Sequence, residues 1–361
     1  MNIFDSYTTR VKSALQQDRL NKSMSESYSN FTGPDTLLKA KSAGAVAARM
    51  SMQPENSLLT LDQVITRPDT ADAQIGLHPD FRHLKGTDNR EYHYITSAFI
   101  DIKGSTSLND SYNLETIYNI TNTVQSAAIH VCLLFRGHIQ RLQGDGVFVY
   151  FGGKNITKGE AVKNAVTATA MFTYFVQNDL QRIFEEEGVE NICTRTGIDF
   201  GDDRDVLWAN FGVGNCTELT TLSLHTSLAP KMQSYAGKNG IIVGQHVKDR
   251  LIIDEKFFDL VRDSKGEIIK RYIYEGRKRN FYYTQYQFKW LNYLKSLPYI
   301  KADADGNLYV VSQQQQEKDR LAKLQATALL ITSGNAYTDN KGNIIASPTS
   351  VKNQPHRFHY E

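Results

Sequence analysis

Between residues 93 and 201 the hydropathy pattern switches several times between a period of two and a period of about 3.6, and the order of the switches restricts the fold more than any other feature. HYITSAFIDI (93–102) reads as a strand. Leu114 to Phe135 reads as a helix, because Ile117, Ile120, Val124, Ala127, Val131 and Leu134 recur three or four residues apart. HIQRLQ (138–143) and VFVYFG (147–152) are two strands joined by a tight Gly144-Asp145-Gly146 turn. A second helix runs from Glu160 to Phe184, with Ala161, Ala165, Ala168, Phe172, Phe175 and Phe184 on one side, and CTRTGIDFG (193–201) returns to a strand. Further strands are expected at VLWANFG (206–212) and GIIVG (240–244), a helix from about Ser227 to Tyr235, and a closing hairpin within 267–286. A doubly wound sheet would alternate strand and helix regularly, and this chain does not. The expectation is an α+β fold with a mostly antiparallel sheet and flanking helices.

The flanks differ from this stretch. Residues 1–91 are polar, with a helical start at Val11, Leu15 and Leu20 and then turn-rich text, and read as a helical or irregular extension outside the core. Residues 92–285 carry the main domain. Residues 286–361 read as a C-terminal extension with a helix through Leu321, Leu324 and Leu329 and a polar tail. The DADGN segment (303–307) is a turn, since a calcium loop spreads its ligands over about twelve residues. A hydrophobic fraction of 40% over 361 residues suffices for a real core, while 41 basic against 39 acidic residues create no field that would call for nucleic acid or an anionic membrane. Cys132, Cys193 and Cys216 are odd in number and lack CxxC spacing, so reduced thiols are expected. No stretch approaches the roughly 20 apolar residues of a membrane span, and the N-terminus lacks a cleavable leader pattern, so a soluble cytoplasmic protein is expected.

Two segments carry candidate chemistry. FIDIKGST (99–106) ends an apolar strand on Asp101 and then offers Lys103, Gly104, Ser105 and Thr106 before the next helix. Backbone N–H groups at such a turn cradle phosphates, and a carboxylate at the lip can hold a cation. The plainer reading is that Ser105 or Thr106 caps the helix. QRLQGDG (140–146) sets Asp145 at a hairpin tip, where Gly-Asp-Gly is also an ordinary turn. If the two segments lie side by side, both carboxylates reach one spot, and two close acids without a basic partner need a metal ion.

These motifs, 44 residues apart (145 − 101), resemble the two metal motifs of the class III adenylate and guanylate cyclases. RTGIDFG (195–201) resembles the strand before that family's dimerisation arm, and LTTLSLHTSLAPKMQSYAGKNGIIVG (219–244) its base, ribose and transition-state region. The resemblance covers about residues 92–285. It implies the class III catalytic fold, a ferredoxin-like palm, working as a head-to-tail homodimer with two divalent ions, Mg²⁺ or Mn²⁺. Asp101, Asp145 and the Ile102 carbonyl would hold the metals, and Lys103, Gly104, Ser105 and Thr106 the β- and γ-phosphates. Arg141 and Thr220 would take the base-selecting positions. Ser227 stands where the family has a ribose-positioning asparagine, and Lys231 where it has the arginine that stabilises the α-phosphate in the transition state. One of Arg277, Lys278 and Arg279 would bind triphosphate.

Arg141 presents only donors, which suits the O2 and N3 acceptors of cytosine, with the Thr220 hydroxyl accepting from the 4-amino group. A guanine reader needs a carboxylate, so guanine is disfavoured. The altered ribose and phosphate positions are similar to the pyrimidine cyclases of bacterial antiphage (Pycsar) systems. The resulting expectation is CTP conversion to 3′,5′-cyclic CMP and diphosphate, with cyclic UMP second and cyclic AMP third, and the product activating a separate effector protein. The non-enzymatic alternative is a cyclase-fold module that binds nucleotide without turnover. A diguanylate-cyclase palm would need a GGDEF-like hairpin, which QGDGV is not.

Overall fold

The computed structural model describes residues 4–28, 73–103, 107–188, 192–263, 265–268, 272–275 and 280–311, with short pieces beyond. Its central sheet is built from β2 (Ile95–Lys103), β3 (Gly137–Gln143), β4 (Gly146–Phe151), β5 (Cys193–Gly201), β8 (Gly240–Gly244), β9 (Phe258–Leu260) and β12 (Gln285–Phe288), in the order β3-β4-β2-β5-β8-β12-β9. Every pairing is antiparallel except β5 with β8. The helices α2 (Leu114–Leu134) and α3 (Lys158–Tyr174) follow β2 and β4, so the β2-α2-β3-β4-α3-β5 unit has the connectivity and strand order of a ferredoxin-like palm. The fold is α+β. Its sheet runs on through β12 to Phe288, three residues beyond the boundary drawn at 285.

Local chemistry places these elements where periodicity expected them. Asn113 caps α2 by accepting from the Thr116 N–H at 2.9 Å, and Thr157 with Glu160 forms a reciprocal capping box on α3. The second helix continues through a π-helical turn (Phe175–Leu180) into α4 (Gln181–Glu187) and stops at Gly188, whose φ of +67° suits glycine. Alternate residues of β2 and β5 then face opposite layers. Ala98, Ile100 and Ile102, with Ile198 and Phe200, join α2 and α3 in the main core. Phe99 and Asp101, with Arg195, Gly197 and Asp199, face the other way.

That second face carries two smaller apolar clusters. Helix α5 (Leu224–Gln233) covers one, with Leu228 and Met232 packed against Ile242 and Tyr283. A three-stranded sheet of β1 (Arg90–Tyr92), β6 (Leu207–Val213) and β7 (Cys216–Leu222) covers the other, with Trp208 and Leu219 against Phe81, Ile95 and Tyr150. Beyond β9 lie the hairpins β10–β11 (Tyr272–Glu275, Asn280–Tyr283) and β13–β14 (Ile300–Ala302, Leu308–Val310), and the DADGN segment is the turn of the latter. Helix α6 (Gln245–Arg250) follows β8, and α7 (Trp290–Ser296) follows β12. Leu324 and Leu329 lie outside the described residues.

The N-terminal helix corrects the reading of residues 1–91 as lying outside the core. Helix α1 (Asp5–Tyr28) buries Tyr7, Val11 and Leu15 in the main cluster, together with Phe4 just before it. Phe4 stacks on Phe175 with ring centres 4.1 Å apart, and the Tyr7 hydroxyl meets His130 Nδ1 at 2.6 Å. Buried Asp18 accepts from Asn113 Nδ2 at 2.6 Å and from Thr116 Oγ1 at 3.1 Å, which ties α1 to the cap of α2. Apolar residues were too sparse along the helix for the sequence to show this buried stripe.

Candidate functional site

Asp101 lies near the end of β2, and Asp145 sits in the turn between β3 and β4. The β2–β4 register pairs Ile100 with Val147. Continuing it sets Asp101 opposite Gly146 and Ile102 opposite Asp145, so the two carboxylates come from adjacent strand ends, one residue out of step. Gly144 makes the turn with a φ of +61°, and Gln125 of α2 donates to its carbonyl at 2.9 Å.

Asp101 does have a basic partner, contrary to the expectation of two uncompensated acids. Arg195 is directly across from it on β5 and donates from Nη2 to Oδ2 at 2.5 Å. Gln233, at the end of α5, donates to the same oxygen at 2.7 Å. Arg195 Nε is buried with no hydrogen-bond partner among the described residues, so this guanidinium retains an unused donor beside the carboxylates. Among the described residues no group of three or more His, Cys, Asp or Glu side chains gathers as a metal cage. Two carboxylates and a backbone carbonyl are nonetheless a hard-oxygen set that suits Mg²⁺ or Mn²⁺, which complete their shells with water and substrate phosphates. The residues fit such ions, provided Arg195 yields its hold on Asp101. Lys103 is exposed at the end of β2; Gly104, Ser105, Thr106, Arg277, Lys278 and Arg279 lie outside the described residues.

The base-selecting candidates form a second group on the same side. Arg141 on β3 pairs with Glu218 on β7 through two nitrogens: Nε donates to Oε1 at 3.1 Å, and Nη2 contacts Oε2. Gln140 donates to Glu218 at 3.1 Å and to the Leu219 carbonyl at 2.8 Å, fastening β3 to β7. Thr220, two residues along β7 from Glu218, meets the Tyr150 hydroxyl at 3.2 Å. Burial raises the Tyr150 pKa, so that hydroxyl keeps its proton. Side-chain contacts thus bring Arg141 of β3 to the strand that carries Thr220, and Glu218 adds a carboxylate to the donors of Arg141 and the hydroxyl of Thr220.

Ser227 and Lys231 share α5, four residues apart and therefore on one face of the helix. Both are exposed, although the Ser227 hydroxyl donates back to the Ser223 carbonyl at 3.0 Å. The helix starts three residues earlier than its periodicity suggested, because Ser223 is extended and Leu224 already helical. Sequence reasoning missed Arg195, Glu218 and Gln233. Their partners are 94, 77 and 132 residues away in sequence, and no local pattern announces such pairings.

No family model matches the chain. The chain is 37% identical over 258 residues to a cytidylate cyclase of Staphylococcus aureus, an overlap covering 68% of this chain and 60% of that protein. Identity is 28% over 297 residues to a cytidylate cyclase of Escherichia coli, covering 78% of this chain and 63% of the other. The chain is a relative of the cytidylate cyclases. It spans only about 60% of the length of the curated cytidylate cyclases it matches. Among solved structures, the adenylyl cyclase CyaB of P. aeruginosa superposes with a TM-score of 0.44 and 21% identity, over 55% of this chain and 94% of that one, a likeness too distant to argue from. No helix among the described residues is long and apolar enough to cross a membrane.

Proposed function

We propose that this chain is a cytidylate cyclase, closing CTP to 3′,5′-cyclic CMP with release of diphosphate. The observation that carries the proposal is the 37% identity to the S. aureus cytidylate cyclase. The placement of Asp101 and Asp145 at neighbouring strand ends supports it. Two Mg²⁺ or Mn²⁺ ions held by Asp101, Asp145 and the Ile102 carbonyl would supply Lewis-acid activation of the ribose 3′-oxygen and charge neutralisation at the phosphates. Arg195, with a donor to spare, swings from Asp101 toward the triphosphate. Lys103, Gly104, Ser105, Thr106 and the 277–279 run take the β- and γ-phosphates, and Lys231 meets the charge that develops at the α-phosphate. Lysine does so as a point charge where arginine would form a fork, and Ser227 reaches less far than asparagine toward the ribose. Head-to-tail homodimerisation brings Arg141, Thr220, Ser227 and Lys231 of one protomer to the carboxylates of the other.

For the base, the Arg141–Glu218 pair presents a donor beside an acceptor. Cytosine matches with N3 accepting from Arg141 and its 4-amino group donating to Glu218. Uracil can also donate N3–H to that carboxylate, which keeps UTP as the runner-up. The earlier ground for disfavouring guanine, a missing carboxylate, falls away with Glu218, and the choice of CTP rests on the relatives. The antiphage setting, with a separate effector reading cyclic CMP, follows from the same resemblance.

Offering purified chain all four triphosphates with Mn²⁺ tests the proposal: cyclic CMP should dominate, and cyclic AMP or GMP as main product would sink it. Asp145→Ala should reduce diphosphate release by at least about 100-fold, since the hairpin carboxylate is one of the groups that would hold the metal ions at the reacting phosphate. Equal, trace release by wild type and variant would mark a binding module instead.

A further inference from the structure

Asp199 is the most enclosed acid on the second face of the sheet, with no exposed surface at all. Its Oδ2 accepts from His225 Nδ1 at 2.9 Å. Its Oδ1 accepts from the Tyr283 hydroxyl and from the Phe200 N–H, the latter at 2.9 Å. The Tyr283 oxygen in turn accepts from the His246 N–H at 2.9 Å, and the His225 and His246 rings lie 4.5 Å apart. Gly244 on β8 makes room for this arrangement, because a Cβ there would collide with both Asp199 Oδ1 and the Tyr283 oxygen. Burial, followed by the Asp199 charge, raises the Tyr283 pKa well above its ordinary value, which keeps the hydroxyl a donor. A buried carboxylate is tolerated only when its oxygens are hydrogen-bonded, so both donors are held strictly in place.

The two donors belong to different elements, and both elements lead to groups assigned to the substrate. His225 is the second residue of α5, ahead of Ser227 and Lys231. Tyr283 ends β11, which follows the basic residues 277–279 in the sequence. Helix α5 is pinned at two further points along the same face. A Cβ on Gly197 would collide with the Ala229 carbonyl and the Gln233 N–H, so the helix backbone rests directly on β5. Gln233 then reaches Asp101 at 2.7 Å. Arg195, Gly197 and Asp199 alternate along β5, and the helix lies over them from its start at Asp199 to its end at Asp101.

Resting on the cyclase reading above, we propose that Asp199 is a positioning residue: through His225 and Tyr283 it sets where α5 and the end of the β10–β11 hairpin sit, and so holds Lys231 and Ser227 at the reacting phosphate and ribose. A displacement of about 1 Å in such groups costs on the order of 100-fold in rate. The effect falls on turnover more than on binding, because Lys231 meets charge that exists only in the transition state.

The test uses the full chain and compares wild type, Asp199→Asn, Tyr283→Phe and Lys231→Ala, with the Asp199→Asn/Lys231→Ala and Tyr283→Phe/Lys231→Ala double variants. The readouts are kcat and KM for CTP and cooperative melting. Asp199→Asn should lower kcat about 10- to 100-fold with KM changed less than about threefold, and each double variant should be no slower than Lys231→Ala alone. Tyr283→Phe removes one donor with little change in volume; it should show the same split more weakly, and it carries the test if Asp199→Asn does not fold. Wild-type kcat in Tyr283→Phe, or losses that multiply with Lys231→Ala, overturns the inference while leaving a cyclising wild type intact. A wild type that cyclises none of the four triphosphates overturns both readings.

Discussion

At Arg141 two of the three guanidinium nitrogens are engaged by Glu218, which leaves the remaining edge to meet a base in one orientation. Both side chains are partly exposed, so the pair adds little to stability, and its consequence lies in discrimination. Glu218→Gln keeps the length but weakens the grip. We expect the ratio of kcat/KM for CTP against UTP to fall about 10-fold while the melting temperature stays within a few degrees. An unchanged ratio in side-by-side assays would show that Glu218 has no part in base choice. Single residues were legible unevenly. Asp101 and Asp145, each alone readable as an ordinary strand end or turn, stood out through their pairing 44 residues apart (145 − 101), whereas Glu218 looks like any surface acid until its contacts with Gln140 and Arg141 are seen.

Among the elements, β5 and β8 were readable to the residue because β8 is a continuous apolar run between two glycines and β5 alternates Ile198 and Phe200 on one face before Gly201. Strand β7 was not. Its CTELTTL text buries only Leu219, and its pairing with β6 supplies what the side chains do not. The seating of α5 on β5 was equally invisible, since it depends on Gly197 having no side chain. Gly197→Ala should therefore push the helix off the strand and destabilise the fold by about 1–3 kcal/mol. Thermal melting measures this, and a melting point equal to that of wild type would mean that the helix backbone is not in contact there. Kinetics of the same variant should deteriorate with stability, because the element displaced is the one that carries Lys231.

For the whole molecule, two buried histidines set a lower limit on working pH. Burial pushes the His78 pKa down to about 4 and the His138 pKa down to about 3; their rings lie 5.0 Å apart, and His78 packs against Trp208 and Phe81. The unfolded chain takes up protons at these rings below about pH 6.5, and the folded chain does so only near those lower values. Stability is therefore full above pH 6.5 and declines as the pH falls, by about 2 kcal/mol for each histidine at pH 5. Melting between pH 7.5 and 5 should show this decline, and His138→Gln should make it shallower; an equally steep curve in that variant would assign the acid sensitivity elsewhere.

Helix α1 sets what can be cut away. Phe4 covers one face of Phe175, and Asp18 answers the donors of Asn113 and Thr116. A trimmed protein beginning at β2 would keep every residue assigned to substrate, yet it would open an oily groove along α2 and leave the cap of that helix short of a partner. Such a fragment would tend to stick to its own copies. Any shortened form of this chain that keeps its core must therefore retain α1, about 90 residues before the first strand of the palm.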